Sequence, residues 1–343
     1  MLLSVIMPVY NGAAYLEECI CSVLNQPCQD LEIICINDGS TDNSLEILNR
    51  LATQDARIRV ETQVNQGVAR ARNRGIELSS GTYTAFLDQD DVYCPDVYTP
   101  QLHDTLSCGA WDLVSFAYYN TNQDFSRGKL NPREQGQRDT LAKYAHEHYR
   151  HHSAYFYRTE FLKANNILVD RYRNEDERFR MQCIYLAQNA LYRSEPIFMY
   201  RNNYSSVTHQ TNRKTSTVVI SCIEGYKYLL GQATDTNIIQ YCKDTMLHLL
   251  LELSIHLAAE GNSASAIQQA LQNYDFAYYY EHRTWLSDYD IAQWDLVQTD
   301  CDAFVNQHHR QARRHLNLRK LQKFPIFRKL YERKKYPIAF KRS

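Results

Sequence analysis

The chain has 343 residues, 44% of them hydrophobic and 22% charged, with a formal net charge of −1. That length allows a large core in two domains, or in one domain with an appendage. The near-neutral total hides a polarity: from Arg310 onward there are 13 Lys and Arg against the single acid Glu332, leaving 25 bases and 38 acids before it, a net of −13. Such asymmetry points to a basic arm for an anionic partner, which is a membrane surface, a nucleic acid or an acidic substrate. The ten cysteines form no CxxC pair, and several, such as Cys35 in Glu32-Ile33-Ile34-Cys35-Ile36, sit inside apolar runs. Reduced, buried thiols of a cytosolic protein fit this better than disulfides or zinc.

In chain order, Leu2–Met7 reads as a buried strand stopped by Pro8, with no basic leader or cleavage site, so no signal peptide is expected. Asn11-Gly12 supplies a turn, and Ala13–Asn25 carries Leu16, Ile20, Val23 and Leu24 at helical spacing. Leu31–Ile36 is a second strand, followed by the loop Asn37-Asp38-Gly39-Ser40-Thr41-Asp42 and a helix through Leu51, where Asn43 and Glu46 are spaced as a capping box. Ile58–Glu61 is a third strand. Asn65-Gln66-Gly67 turns into a helix through Leu78, and Tyr83–Leu87 is the fourth strand. This alternation predicts an α/β fold with a mostly parallel central sheet and flanking helices. No G-x-G-x-x-G follows the first strand and no P-loop pattern occurs, which removes the dinucleotide reading.

Further on, Asp112–Tyr119 reads as a strand and 120–140 as a polar, irregular insertion. Tyr155–Arg158 and Ile197–Arg201 read as strands, separated by a helix from Glu175. Residues 215–310 are helical in pattern, including Ile220–Leu230 and Ile238–Ala259. The most apolar window, Met246–Ala259, contains His248, Glu252 and His256 and is too short to span a bilayer.

The fourth strand runs into Leu87-Asp88-Gln89-Asp90-Asp91-Val92-Tyr93. Three carboxylates within four positions are costly unless a cation shares them. They also sit at the carboxyl end of a strand, where open α/β sheets bind ligands. A solvated acidic turn is the competing reading. A calcium loop is excluded, because its sixth position would be Tyr93 instead of Gly.

The acidic turn does not stand alone. The chain carries, in order, Ser4-Val5-Ile6-Met7-Pro8-Val9-Tyr10-Asn11, Ile36-Asn37-Asp38-Gly39-Ser40-Thr41-Asp42, Asn65-Gln66-Gly67 with Ala71-Arg72-Asn73-Arg74-Gly75, and Phe86-Leu87-Asp88-Gln89-Asp90-Asp91. Tyr157-Arg158-Thr159-Glu160-Phe161-Leu162, Glu175-Asp176-Glu177-Arg178-Phe179 and Tyr200-Arg201 follow. In this order the motifs resemble those of the family-2 glycosyltransferases, inverting enzymes of the GT-A fold, across about the first three-fifths of the chain. The resemblance implies a catalytic domain at 1–214; the helical pattern of 215–310 and the basic, aromatic composition of 311–343 mark a helical region and a tail after it.

It also implies roles. Pro8 and Tyr10 would line the nucleoside pocket, and Asp38 would accept a hydrogen bond from the base, which favours the ring N–H of uracil and so a UDP-sugar. As a residue by itself, Asp38 reads equally as a turn residue capping the following helix. Asn65 and Arg72 would reach the nucleotide, with Arg70 the nearest rival to Arg72. Asp88 would bind the ribose, and Asp90 would ligate the metal, Mn²⁺ or Mg²⁺, that bridges the diphosphate. Asp91 is expected to cap the next segment. Asp176 matches the family's general base, in the first turn of a helix that Asn174 caps, with Glu175 and Glu177 as alternatives. His146, His148, His151 and His152 read as an exposed helix-and-loop surface rather than a metal site, with an acceptor-side role open to them. His209 falls near where relatives contact the diphosphate.

Processive relatives carry Q-x-x-R-W and membrane spans; Arg283-Thr284-Trp285 is not that motif, so one sugar per encounter is expected. The acceptor implied is a glycan or lipid-linked glycan of surface polysaccharide or lipopolysaccharide synthesis. The tail, from Arg313-Arg314 to Arg333-Lys334-Lys335-Tyr336, interleaves bases with aromatics and suits peripheral attachment to the cytoplasmic face of a membrane. Nothing upstream supports nucleic acid as partner. Region 215–310 has three readings: shaping the acceptor site, forming a homodimer, or extending the core. Two other functions compete: a nucleotidyltransferase, disfavoured because Pro8-Val9-Tyr10-Asn11-Gly12 has no base for a triphosphate, and a catalytically silent glycan-binding protein.

Overall fold

A computed structural model describes residues 1–109, 111–133, 136–137, 151–169, 175–202, 216–276, 281, 288–321 and 338–339. The chain divides into two compact units, Met1–Arg171 with Gln182–Ser206 and Glu332–Ser343 in one, and Tyr172–Met181 with Val207–Tyr331 in the other.

The first unit is built on one sheet. Strands β1 (Leu3–Val9), β2 (Leu31–Asp38), β3 (Ile58–Gln63) and β4 (Tyr83–Phe86) are parallel in the order β3-β2-β1-β4, with Ile6 level with Ile34 on one side and Phe86 on the other. Every residue of β1, β2 and β4 is buried. This is why they read as continuous apolar runs, as strands covered on both faces must. Helices α1 (Leu16–Leu24), α2 (Ser44–Gln54) and α3 (Val68–Leu78) are the crossovers. In α3, a Cβ at Gly75 would stand 2.3 Å from Ile6 Cγ2, so only glycine lets that helix lie against β1.

Two local expectations are corrected. Pro8 does not stop β1, which runs to Val9. Ile6 O accepts from Leu87 N, so alternate residues of β1 face β4, and Pro8 faces the space beyond Phe86, where no ladder needs its missing N–H. The Asn43–Glu46 capping box is also absent: Asn43 is the N-cap of α2 without a side-chain bond. Asp42 instead accepts from Ser44 N at 3.0 Å and from Ala13 N at 3.1 Å, tying the helix start to the β1–α1 turn.

Beyond β4 the sheet turns antiparallel. The order continues β4-β9-β6-β7-β11, with β9 (Tyr155–Arg158), β6 (Leu113–Thr121), β7 (Arg127–Asn131) and β11 (Ile338–Ala339). β10 (Ala190–Arg201) lies parallel to β6 and antiparallel to the short strands β5 (Val92–Tyr93) and β8 (Gly136–Gln137). Helices α4 (Pro100–Cys108) and α5 (Thr159–Ala164) complete these segments; α6 (Glu175–Leu186) belongs to the second unit as far as Met181 and to the first from Gln182. Residues 120–133 are therefore not an irregular insertion. β6 and β7 form a hairpin whose turn is closed by Asn122, which bonds the Arg127 main chain through both its own N and its Oδ1.

The second unit holds helices α7 (Ser216–Gln232), α8 (Thr236–Ala259), α9 (Ala264–Asn273), α10 (Asp288–Thr299) and α11 (Cys301–Leu321) around Met246, Leu250, Leu253, Trp294 and Phe304. Among the described residues no helix is long and apolar enough to cross a membrane. All ten cysteines are free thiols, as their scatter predicted.

Candidate functional site

The carboxyl ends of β1, β2 and β4 carry the residues singled out in the sequence. Asp38 closes β2 opposite Gln63 of β3, and its carboxylate organises the loop into α3. Oδ1 accepts from Gln63 Nε2 at 2.8 Å and Gln66 N at 2.9 Å, and Oδ2 accepts from Gly67 N at 2.8 Å. Asp38 thus braces the start of α3 rather than α2. Asn65 is exposed on that loop, and Gly39, at φ +73°, lies so close that a Cβ would be 2.9 Å from the Asn65 nitrogen.

Pro8 is buried, and two residues on Tyr10 stands 48% exposed at the lip. Its main chain is gripped by Gln89, which accepts from Tyr10 N and donates to Tyr10 O, both at 3.0 Å. Gln89, the one uncharged residue of DQDD, thus joins the acidic turn to the β1 loop. Sequence reasoning passed over it, because nothing about an amide between two aspartates signals a main-chain contact 79 residues away.

Within the turn the three acids separate by environment. Asp88 Oδ1 accepts from Arg72 Nη2 at 2.8 Å, and His152 Nε2 lies 3.9 Å from the same oxygen. Burial pushes the Asp88 carboxyl up, but Arg72, followed by His152 and His151, outweighs it and holds the group at about 2. Asp91 is fully buried, and burial together with the charges of Asp90 and Asp88 pushes its carboxyl well above the ordinary range. Asp91 Oδ1 accepts from Arg201 N at 2.8 Å, so it anchors the end of β10 instead of capping the next segment. Asp90 is partly exposed, and its main-chain oxygen accepts from Arg201 Nε at 2.6 Å.

His151 and His152 correct the surface reading. His152 is buried, packed 5.7 Å from Phe86, and His151 is half-buried with Tyr200 at 4.7 Å. Their position follows from the chain path: β9 runs antiparallel to β4 with Ala85 opposite Phe156, and the single 3₁₀ turn His152–Ala154 leads into β9 beside the end of β4. One oxygen of Asp88 and one ring nitrogen from each histidine lie within 4.8 Å of one another, the one such cluster of metal-ligand atoms among the described residues. An O,N,N set suits a first-row divalent cation.

The structure therefore brings Arg72 to Asp88, Tyr10 to the DQDD turn, and Asp38 to the loop bearing Asn65. Asp176 lies in the first turn of α6, but its side chain, with those of Glu175 and Glu177, is outside the described residues. So are His146, His148 and His209.

Residues 4–165 match the model of glycosyl transferase family 2. The chain is also 31% identical over 224 residues to the glycosyltransferase GlyG of Streptococcus pneumoniae, covering 60% of this chain and 72% of GlyG. It belongs to glycosyl transferase family 2. A second relative, the uncharacterized glycosyltransferase EpsJ of Bacillus subtilis, is 35% identical over 219 residues; the match spans 60% of this chain and 63% of EpsJ, under two-thirds of that relative's length. Among solved structures, S. aureus TarS 1–349 in complex with UDP-GlcNAc superposes with a TM-score of 0.62 over 92% of each chain at 17% identity, a likeness of fold.

Proposed function

We propose that this family-2 chain transfers one sugar from a nucleotide sugar, a UDP-sugar, to a hydroxyl of a glycan or lipid-linked glycan, with inversion and with help from a divalent cation. The observation that carries the reading is the Arg72–Asp88 pair, set at the carboxyl end of β4 beside the loop that Asp38 braces. It keeps a carboxylate ionised next to a buried guanidinium where a ribose and a diphosphate require opposite partners. UDP-GlcNAc bound to TarS on the same fold supports uridine as the base.

In this reading Tyr10 and Pro8 border the base, Asp38 accepts from its ring N–H, and Asn65 and Arg72 reach the rest of the nucleotide. Asp88 takes the ribose hydroxyls and Asp90 is the cation ligand. The acidic turn fits a cation, because it sets the partly exposed Asp88 and Asp90 close enough to Asp91 that their charges help push its carboxyl up. A bound Mn²⁺ or Mg²⁺ would neutralise charge on the departing diphosphate. Asp176 takes the acceptor proton while the acceptor oxygen attacks the anomeric carbon and the bond to the diphosphate oxygen breaks, so that UDP leaves on the opposite face.

A second reading of the metal is favoured by one observation: the ligand atoms that cluster are those of Asp88, His151 and His152, not Asp90. Mn²⁺ binding lost in D90N and kept in H152A supports Asp90; the reverse supports the histidine set.

The basic tail is proposed to hold the enzyme on an anionic membrane surface, where lipid-linked acceptors of surface polysaccharide or lipopolysaccharide synthesis are found. The test of the whole is a hydrolysis screen of nucleotide sugars with Mn²⁺. Release of UDP from one UDP-sugar is expected. Release of pyrophosphate from a nucleoside triphosphate and a sugar phosphate would mark a nucleotidyltransferase, and no turnover of any donor would remove the catalytic reading.

A further inference from the structure

The Tyr200-Arg201 pair is a motif of the sequence left without a part in the chemistry. We infer that Arg201 is a positioning residue for the DQDD turn, fixing the main chain at Asp90 and with it the direction of the Asp90 carboxylate. The inference rests on the proposed role of Asp90 as cation ligand.

The contacts of Arg201 come from three separate stretches of chain. Nε donates to Asp90 O at 2.6 Å, Nη1 donates to Gln123 O at 2.7 Å, and Nη2 donates to the Glu18 carboxylate of α1. Its main-chain N donates to Asp91 Oδ1 at 2.8 Å. The Phe125 ring lies 4.0 Å from the guanidinium carbon and the Tyr15 ring 4.9 Å from it. The side chain is only 6% exposed. Each nitrogen of the fork is thus committed to a different acceptor.

This grip falls on a stretch that the sheet ladders leave unpaired. β4 ends at Phe86 and β5 begins at Val92, so the peptide bearing Asp90 belongs to neither ladder. Arg201 holds Asp90 by its carbonyl and Asp91 by its carboxylate, and so sets both sides of the peptide between them. Since Arg201 ends β10, where Met199, Tyr200 and Arg201 pair in register with Tyr119, Asn120 and Thr121 of β6, the turn is referred to the sheet. A lysine cannot reproduce this. One ammonium on a flexible stem lacks the planar fork that reaches three acceptors at once, and it lacks the flat face that two rings cover.

The experiment uses the full chain with R201K, and with E18Q as a milder variant that loosens the guanidinium without touching the turn. Three readouts are taken: backbone hydrogen exchange, thermal unfolding, and affinity for Mn²⁺ and UDP. In R201K, exchange at the amides of 90–93 should speed up selectively. Mn²⁺ and UDP affinities should fall at least about tenfold, the size expected for a lost charge-assisted hydrogen bond, while unfolding stays cooperative. E18Q should move the same readouts in the same direction by a few-fold. Unchanged exchange and unchanged affinities in R201K would overturn the inference. So would faster exchange spread over the whole sheet with loss of cooperative unfolding, which would mark a structural role alone. A wild-type protein that takes up neither Mn²⁺ nor UDP would overturn the proposed function instead, and exchange at 90–93 would still decide whether Arg201 holds the turn.

Discussion

Arg72 reaches from the first half of α3 to Asp88 at the end of β4, Nη2 to Oδ1 at 2.8 Å, with the arginine side chain 5% exposed and the aspartate 27% exposed. A buried guanidinium left without its carboxylate is costly, and so is the reverse. R72M should therefore destabilise the fold by about 2 kcal/mol, the scale for breaking one charged hydrogen bond at a partly wet site. Because Arg72 is the main group holding the Asp88 carboxyl at about 2, its removal should also raise that value. Urea unfolding and carboxyl titration by NMR check the two effects. UDP affinity should fall with them.

Gly39 and Asn65 supply a second test. Gly39 sits at φ +73°, and an added Cβ would come within 2.9 Å of the Asn65 nitrogen. G39A therefore meets both backbone strain and a main-chain clash, worth about 1–3 kcal/mol together. The loop would be driven off the Asp38 carboxylate, so UDP binding should weaken by more than the loss of stability alone accounts for. Calorimetric titration with UDP, set beside a thermal melt, separates the two.

These two pairs mark how far the sequence could be read. Asp38 and Asp88 could be singled out because each sits in a short motif at a strand end, and Arg72 because the family resemblance marks its place in α3. Their partners could not. Gln89 meets Tyr10 across 79 residues, and Glu18 meets Arg201 across 183. Such contacts arise from which strand ends lie side by side, and residue type does not encode that. His152 was read as surface because its run of His and Tyr is polar; the 3₁₀ turn His152–Ala154 that leads into β9 next to β4 sets it beside Asp88. The parallel half of the sheet announced itself through buried β-branched runs. The β6–β7 hairpin did not, since Arg127–Asn131 is short and polar and lacks an apolar alternation.

Glu32 gives a pH test away from the site. Burial raises its carboxyl, but bonds from Ser4 Oγ at 2.6 Å, Ser80 Oγ at 2.8 Å and Ser80 N at 2.9 Å outweigh it and hold the group below the ordinary value of 4.5. A carboxyl depressed by folding adds stability above its unfolded value and loses it as pH falls through the folded one. E32Q should therefore be less stable than the wild type at pH 7, by about 1–2 kcal/mol for a charged acceptor with several donors. The gap should shrink below about pH 4.5. Chemical unfolding of both proteins at pH 7 and pH 3.5 is the check; a gap that stays constant would remove Glu32 from the acid sensitivity of the fold.

Asp176 carries the heaviest chemical role proposed for any residue of the chain. As general base, it matters only once an acceptor hydroxyl begins to lose its proton. D176N should then bind UDP and Mn²⁺ like the wild type and transfer sugar at least about a hundredfold more slowly. E175Q and E177Q, treated alike, should stay within a few-fold of wild type. Turnover near normal in D176N would pass the role to whichever neighbour fails.

The membrane proposal is best tested by charge rather than by truncation. Cutting the chain after 312 would also remove Ile338–Ala339, which pairs with Arg127–Gly128 at the edge of the sheet, so a lost activity would have two causes. Replacing Arg328, Lys329, Arg333, Lys334 and Lys335 by glutamine leaves that strand in place. Each base near an anionic bilayer contributes about 1 kcal/mol, so removing five should abolish sedimentation with phosphatidylserine or phosphatidylglycerol vesicles at physiological salt. Sugar transfer to a soluble acceptor should be spared, because none of the five is among the residues proposed to bind the donor or to take the acceptor proton. Binding to neutral vesicles as strong as to anionic ones, or binding that survives the substitutions, would point to the aromatic residues of the tail as the anchor instead.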